Sequence, residues 1–159
     1  DALAVATLNQ KKISKKDFKK FHPSGSLGAK LKTVEDIMLT KQKIPFINEN
    51  VGMKDALKMI TQKKLGTLIA KDKKGNTTGI ITDGQIRRVS QKNRDLHSLK
   101  VKNVMTKNPI KVDKEILAIK ALSIMNSKKI TSLCVYGKNS KFKTIGIIHI
   151  HNILDNTTN

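Results

Sequence analysis

The chain repeats itself, and this constrains its fold more than any other feature of the sequence. Ala56-Leu57-Lys58-Met59-Ile60-Thr61-Gln62-Lys63-Lys64-Leu65-Gly66-Thr67-Leu68 aligns with Ala121-Leu122-Ser123-Ile124-Met125-Asn126-Ser127-Lys128-Lys129-Ile130-Thr131-Ser132-Leu133 at an offset of 65 residues. Gly79-Ile80-Ile81 aligns with Gly146-Ile147-Ile148 at an offset of 67, and so does Val34-Glu35-Asp36-Ile37-Met38 with Val101-Lys102-Asn103-Val104-Met105. Three blocks in one order at nearly constant spacing define an internal duplication.

Each copy carries the same pattern of elements. Met53, Ala56, Leu57 and Ile60 form the i, i+3, i+4, i+7 stripe of an amphipathic helix, which predicts a helix over Met53 to Lys64. Thr67 to Ala70 has the length and apolarity of a buried strand, Lys73-Lys74-Gly75-Asn76 is a turn, and Thr77 to Thr82 is a second strand rich in β-branched residues. A helix follows over Asp83 to Ser90. The second copy predicts a helix over Glu115 to Ser127, strands over Ser132 to Tyr136 and Thr144 to Ile148, and a helix over His149 to Leu154. One such unit is too small to bury both faces of its sheet. Two units packed sheet against sheet solve that problem, so the pair should form one α+β body.

With 159 residues there is room for a shared core, and aromatics at 3% require that core to be aliphatic. No apolar run approaches the ~20 residues that cross a bilayer. The single cysteine, Cys134, excludes an internal disulfide and fits a reducing, cytoplasmic setting. A net charge of +20 suggests nucleic acid, but among the 32 basic residues only Arg87, Arg88 and Arg94 are arginines. Lysines spread along the whole chain lack the bidentate reading geometry of guanidinium, and stacking aromatics are scarce. Composition therefore favours a solvated lysine surface over a nucleic-acid interface.

Residues 1–33 belong to neither copy. Leu3 to Leu8 reads as the tail of a helix, Ser14 to Phe21 as a short helix, and His22-Pro23-Ser24-Gly25-Ser26-Leu27-Gly28 as a glycine-bearing loop. Neither a signal peptide nor an initiator Met opens the chain, so the expectation is a linker arriving from a preceding domain.

Two copies that end in Gly79-Ile80-Ile81-Thr82-Asp83-Gly84-Gln85-Ile86 and Gly146-Ile147-Ile148-His149-Ile150-His151-Asn152-Ile153 resemble the CBS domain family. The resemblance implies a tandem pair of β-α-β-β-α repeats, residues 34–92 and 101–155, that binds nucleotides between its halves. A narrower resemblance rests on Asp1-Ala2-Leu3-Ala4-Val5-Ala6, Asp17-Phe18, Phe21-His22-Pro23, Leu27-Gly28, Thr82-Asp83-Gly84, Arg87-Arg88, Asp95-Leu96-His97 and Val104-Met105-Thr106. These segments are similar to the C-terminal part of the arabinose-5-phosphate isomerase family. Those enzymes carry a sugar isomerase domain ahead of a CBS pair and interconvert ribulose 5-phosphate and arabinose 5-phosphate on the way to the lipopolysaccharide sugar Kdo. The resemblance implies a non-catalytic regulatory portion, dimeric through its CBS pair and tetrameric in the parent. It also implies an adenine or cytidine nucleotide as effector, CMP-Kdo included, and no required cofactor.

The family's nucleotide signature places Thr or Ser at the end of the second strand and Asp three residues on. A hydroxyl with free helix N–H groups suits a phosphate, and a carboxylate accepts from ribose. Here the first repeat has Thr82 and Asp83 but Gln85, and the second has His149 and Asn152. Both ribose-gripping carboxylates have become amides, and Thr82 and Asp83 also suit plain helix capping. Arg88 is the nearby cation for an anionic ligand. His149 and His151, two apart, would share a face if both lay on the strand, and one of them suits a phosphate in the cleft. A metal would need a third ligand that no nearby Asp or Glu cluster offers. His22, in a His-Pro-Ser-Gly stretch, is the residue that the resemblance assigns a proton-transfer role, and only in the intact parent.

Overall fold

A computed structural model describes residues 31–92 and 95–157. The first repeat contains β1 (Phe46–Asn48), α2 (Met53–Lys63), β2 (Thr67–Lys71), β3 (Thr77–Thr82) and α3 (Asp83–Lys92), preceded by a short α1 (Val34–Ile37). The second contains β5 (Lys111–Asp113), α5 (Ala118–Lys128), β6 (Ser132–Tyr136), β7 (Gly146–His149) and α6 (Ile150–Thr157), preceded by α4 (Val101–Val104) and the two-residue β4 (Thr106–Lys107). The sheet orders are β1-β2-β3-β4 and β5-β6-β7, each with a parallel first pair and an antiparallel second pair.

The central strands explain the two-layer design. Four successive residues of β2, Thr67 to Ala70, are buried, as are Ser132 to Val135 of β6, so each strand is covered on both faces. One face meets helices: Leu68, Ala70 and Ile81 join Met53, Ala56 and Ile60 of α2, and Leu133, Val135 and Ile148 join Ala118, Ala121 and Met125 of α5. The other face meets the opposite sheet through Ile44, Ile69, Cys134 and Ile147. The expected sheet-to-sheet body is therefore present. Equivalent positions touch where the two hairpins meet: the hydroxyls of Thr77 and Thr144 lie 2.6 Å apart.

The leading segment of each repeat crosses to the other one. Val34 and Ile37 of α1 are buried in the core of the second repeat, with Met38 packed against it, while Val101 and Val104 of α4 complete the core of the first. The backbone follows the side chains. Val34 N–H donates to Ile116 O (2.9 Å), Ala118 N–H to Lys32 O (2.8 Å), and Leu39 and Ile147 exchange bonds of 2.9 and 3.0 Å. The second arm repeats this with Val101 N–H to Val51 O and Met53 N–H to Leu99 O, both 2.8 Å. Thr33 and Asp36 close the start of α1, and the Lys114 ammonium meets the Glu35 carboxylate at 2.7 Å.

Several boundaries differ from the sequence reading. The helix expected from Glu115 starts at Ala118, because the arm holds Leu117 in extended backbone. The strand expected over Thr144 to Ile148 runs from Gly146 to His149, with the Thr144 hydroxyl engaged by Thr77. The last helix begins at Ile150, whose N–H donates to Thr131 O at 2.8 Å. His149 and His151 thus do not share a strand face, since His151 lies in the first turn of α6. No helix among the described residues is long and apolar enough to cross a membrane.

Candidate functional site: a cavity between the repeats

The strand ends that precede α3 and α6 open onto one cavity of about 550 Å³. Two local devices build its walls. After α2 the chain turns through Lys64 (φ 57°) and Gly66 (φ 65°) into β2, and Asp83 N–H donates to Gly66 O at 3.0 Å. A Cβ at Gly66 would meet the Asp83 carboxylate at 2.7 Å, and the positive φ favours glycine at this corner. The second repeat turns through Lys129 (φ 56°), with Ile150 bonded to Thr131 in the equivalent place.

The cavity gathers Thr82, Asp83, Gln85, Arg88 and His149 of the sequence-predicted site. Leu65, Ile80, Pro109, Ile110 and Ile130 supply an apolar side, and Ile110 remains 39% exposed. Thr106, Asn108, Lys129, Thr131, Ser132 and His151 are its other polar lining residues. Arg88 and Lys129 are its fixed cations and Asp83 its carboxylate. Burial, and then the neighbouring His151, hold the His149 imidazole below its ordinary value near 6.5.

The two signature amides are engaged inside the protein. Gln85 Nε2–H donates to Val104 O, and Gln85 Oε1 accepts from the Thr106 hydroxyl at 2.6 Å. Thr82 Oγ1 accepts from Gln85 N–H at 3.3 Å, so Thr82 caps α3 as its residue type suggested. Asn152 Oδ1 accepts from His149 N–H at 3.1 Å at the start of α6, and Asn152 is not among the residues lining the cavity. His22 lies outside the described residues.

Sequence reasoning missed Ser132. Its side chain is 6% exposed, it lines the cavity, and its Oγ has no hydrogen-bond partner. An unsatisfied hydroxyl is costly in a dry interior, so its presence beside the cavity sets Ser132 apart from an ordinary core residue. The signal was present: Thr67 and Ser132 are equivalent positions, and both hydroxyl residues are buried. Cys134 carries no such sign; burial pushes its thiol up to about 11, which leaves it inert. No group of three potential metal ligands occurs among the described residues.

The chain belongs to the CBS domain family, which matches residues 34–92 and 101–158 and thus defines a tandem pair. More narrowly, it is 40% identical over 155 residues to the C-terminal part of the arabinose 5-phosphate isomerase KdsD of Yersinia pestis. That alignment covers 97% of this chain and 46% of the relative, so the chain spans about half the length of the curated relatives it matches. Among solved structures, CBSX2 in complex with AMP has a TM-score of 0.67 at 24% identity, over 77% of this chain and 93% of that one. The CBS pair of MJ0100, in complex with 5′-methylthioadenosine and S-adenosyl-L-methionine, has a TM-score of 0.67 at 21% identity, over 78% and 94%.

Proposed function

We propose that this chain is the regulatory CBS pair of a cytoplasmic sugar-phosphate isomerase, and that it binds a nucleoside phosphate in the cavity between its repeats. The observation that carries the reading is the cavity itself. Its lining combines an apolar shelf of Ile80, Pro109 and Ile110 with the cations Arg88 and Lys129 and with Ser132, whose buried hydroxyl has no partner. A base suits the shelf, and a phosphate suits the cations and the N-termini of α3 and α6. AMP in CBSX2 supports an adenine nucleotide. The likeness to arabinose 5-phosphate isomerases supports a parent that converts ribulose 5-phosphate to arabinose 5-phosphate for lipopolysaccharide synthesis. It also makes CMP-Kdo, the activated end product, the natural feedback ligand.

The test is thermal unfolding of the chain against AMP, ATP, CMP, CMP-Kdo and sugar phosphates. At 100 times its dissociation constant a ligand adds about 2.7 kcal/mol, or about 5–10 °C in Tm. Arg88→Ala is expected to weaken the selected ligand by about tenfold or more, through loss of a charge-assisted hydrogen bond. A second reading follows from the engaged amides: with Gln85 and Asn152 both bonded internally, the pair acts as a ligand-free scaffold that joins two parents. Silence across the whole panel, together with a dimer that persists at nanomolar concentration, would favour the scaffold.

A further inference from the structure

The two sides of the cavity differ in a way that the fold does not require. Where the first repeat has Thr82 and Gly84, the second has His149 and His151. Their rings stack with centroids 4.9 Å apart and planes 24° from parallel. His151 N–H donates to His149 Nδ1 at 3.2 Å, which leaves the neutral His149 ring with its proton on Nε2. Protonation would turn Nδ1 into a donor facing another donor. That conflict favours turning the protonated ring toward an acceptor, and the oxygen of a bound anion would serve as one. Among the residues lining the cavity the other charged groups are Arg88 and Asp83 from α3 and Lys129 from the turn after α5, and Asp155 stands four residues beyond His151 on α6. Ser132, paired with His149 in the β6–β7 register, places a buried, unpartnered hydroxyl next to the pair.

We propose that His149, His151, Lys129 and Ser132 form a proton-linked subsite for a tetrahedral dianion, so that the anion binds more tightly as pH falls. The proposal rests on the reading of the cavity as an anion site and adds a regulator to it, the proton. Without an anion, a charged His149 would sit beside the His151 ring and partly out of water. A bound dianion reverses that balance, and linkage makes the effect reciprocal: whatever factor the proton adds to anion affinity, the anion adds to proton affinity. Stability follows the same sign. With its proton affinity lowered by folding, His149 takes up more protons in the unfolded chain near and below pH 6.5, so the empty fold loses stability as pH drops through that window. An anion in the subsite counters the loss.

Sulfate is the probe, because it stays dianionic across this range whereas phosphate titrates within it. The four histidines of the full chain are followed by NMR from pH 5 to 8, in sulfate and in chloride of equal ionic strength. Sulfate is expected to raise the His149 midpoint by about one unit, equivalent to about tenfold tighter binding to the protonated site. His97, which does not line the cavity, controls for general screening, and Lys129→Gln should reduce the His149 shift. His151→Gln, a change at an exposed position, assigns the resonances and should largely abolish the difference in sulfate protection between pH 5.5 and pH 7.5. A His149 midpoint that moves no more than that of His97 overturns the proposal. The nucleoside-phosphate reading fails separately: it falls if the nucleotide panel is silent, even where sulfate moves His149.

Discussion

Valine in place of Gly79 is expected to destabilise the protein by about 3 kcal/mol, a large effect for a residue with no side chain to lose. Gly79 lies in β3, where the arm of the second repeat crosses it. A Cβ there would meet Met105 at its Sδ, Cγ and Cβ, at 2.5, 2.6 and 2.9 Å. The last contact matters most, because the root of a side chain cannot swing away as its tip can. Two further methyl groups would lift Met105 from the core it shares with Val101 and Val104, and with it the β4 pairing of Thr106 to Ile80. Urea unfolding measures the loss. Adding Met105→Ala should recover part of it, and the double-mutant cycle should show coupling of at least about 1 kcal/mol. A Gly79→Val protein within about 0.5 kcal/mol of the parent would mean that the arm is not seated on β3.

Removing the first arm is expected to unfold the half of the molecule farther from it in sequence. A chain beginning at Lys41 loses Val34 and Ile37, each worth about 1.5–3 kcal/mol when buried. It also loses the backbone bonds that tie Lys32, Val34 and Leu39 to Ala118, Ile116 and Ile147. The total exceeds about 5 kcal/mol, comparable with the whole stability of a small domain. Hydrogen exchange locates the damage: protection should vanish first in β5 to β7 and α5, while β1 to β3 keep theirs longer. Faster exchange in β1 to β3 than in β5 to β7 would overturn this assignment of the arms.

The duplication was legible because it is written twice, and the strands Thr77–Thr82 and Ser132–Tyr136 stand where the sequence places them. The crossing of the arms was not. The pattern Val34-Glu35-Asp36-Ile37-Met38 says which side of α1 is buried, but periodicity is local and does not say in which core. The same limit explains the late start of α5: propensity allows a helix from Glu115, and only the docked arm forbids it. At the cavity, the signature spacing located Thr82, Asp83, Gln85, Arg88 and His149. It could not show that Gln85 would turn away to Val104 and Thr106, or that Lys129 and Ser132 would arrive from the turn after α5 and the start of β6. Those facts depend on how the two repeats face each other.

The contact of Thr77 with Thr144 has a consequence for that cavity. A residue that touches its own counterpart marks a two-fold axis, the signature of an isologous homodimer, and this chain has the form of such a dimer with its subunits joined end to end. In a true homodimer every substitution appears on both sides of the axis at once, so a histidine pair on one side would face a second pair on the other. Covalent joining lifts that constraint. It lets Thr82 and Gly84 persist across the axis from His149 and His151, and so permits a single histidine pair off the axis where symmetry would have imposed two.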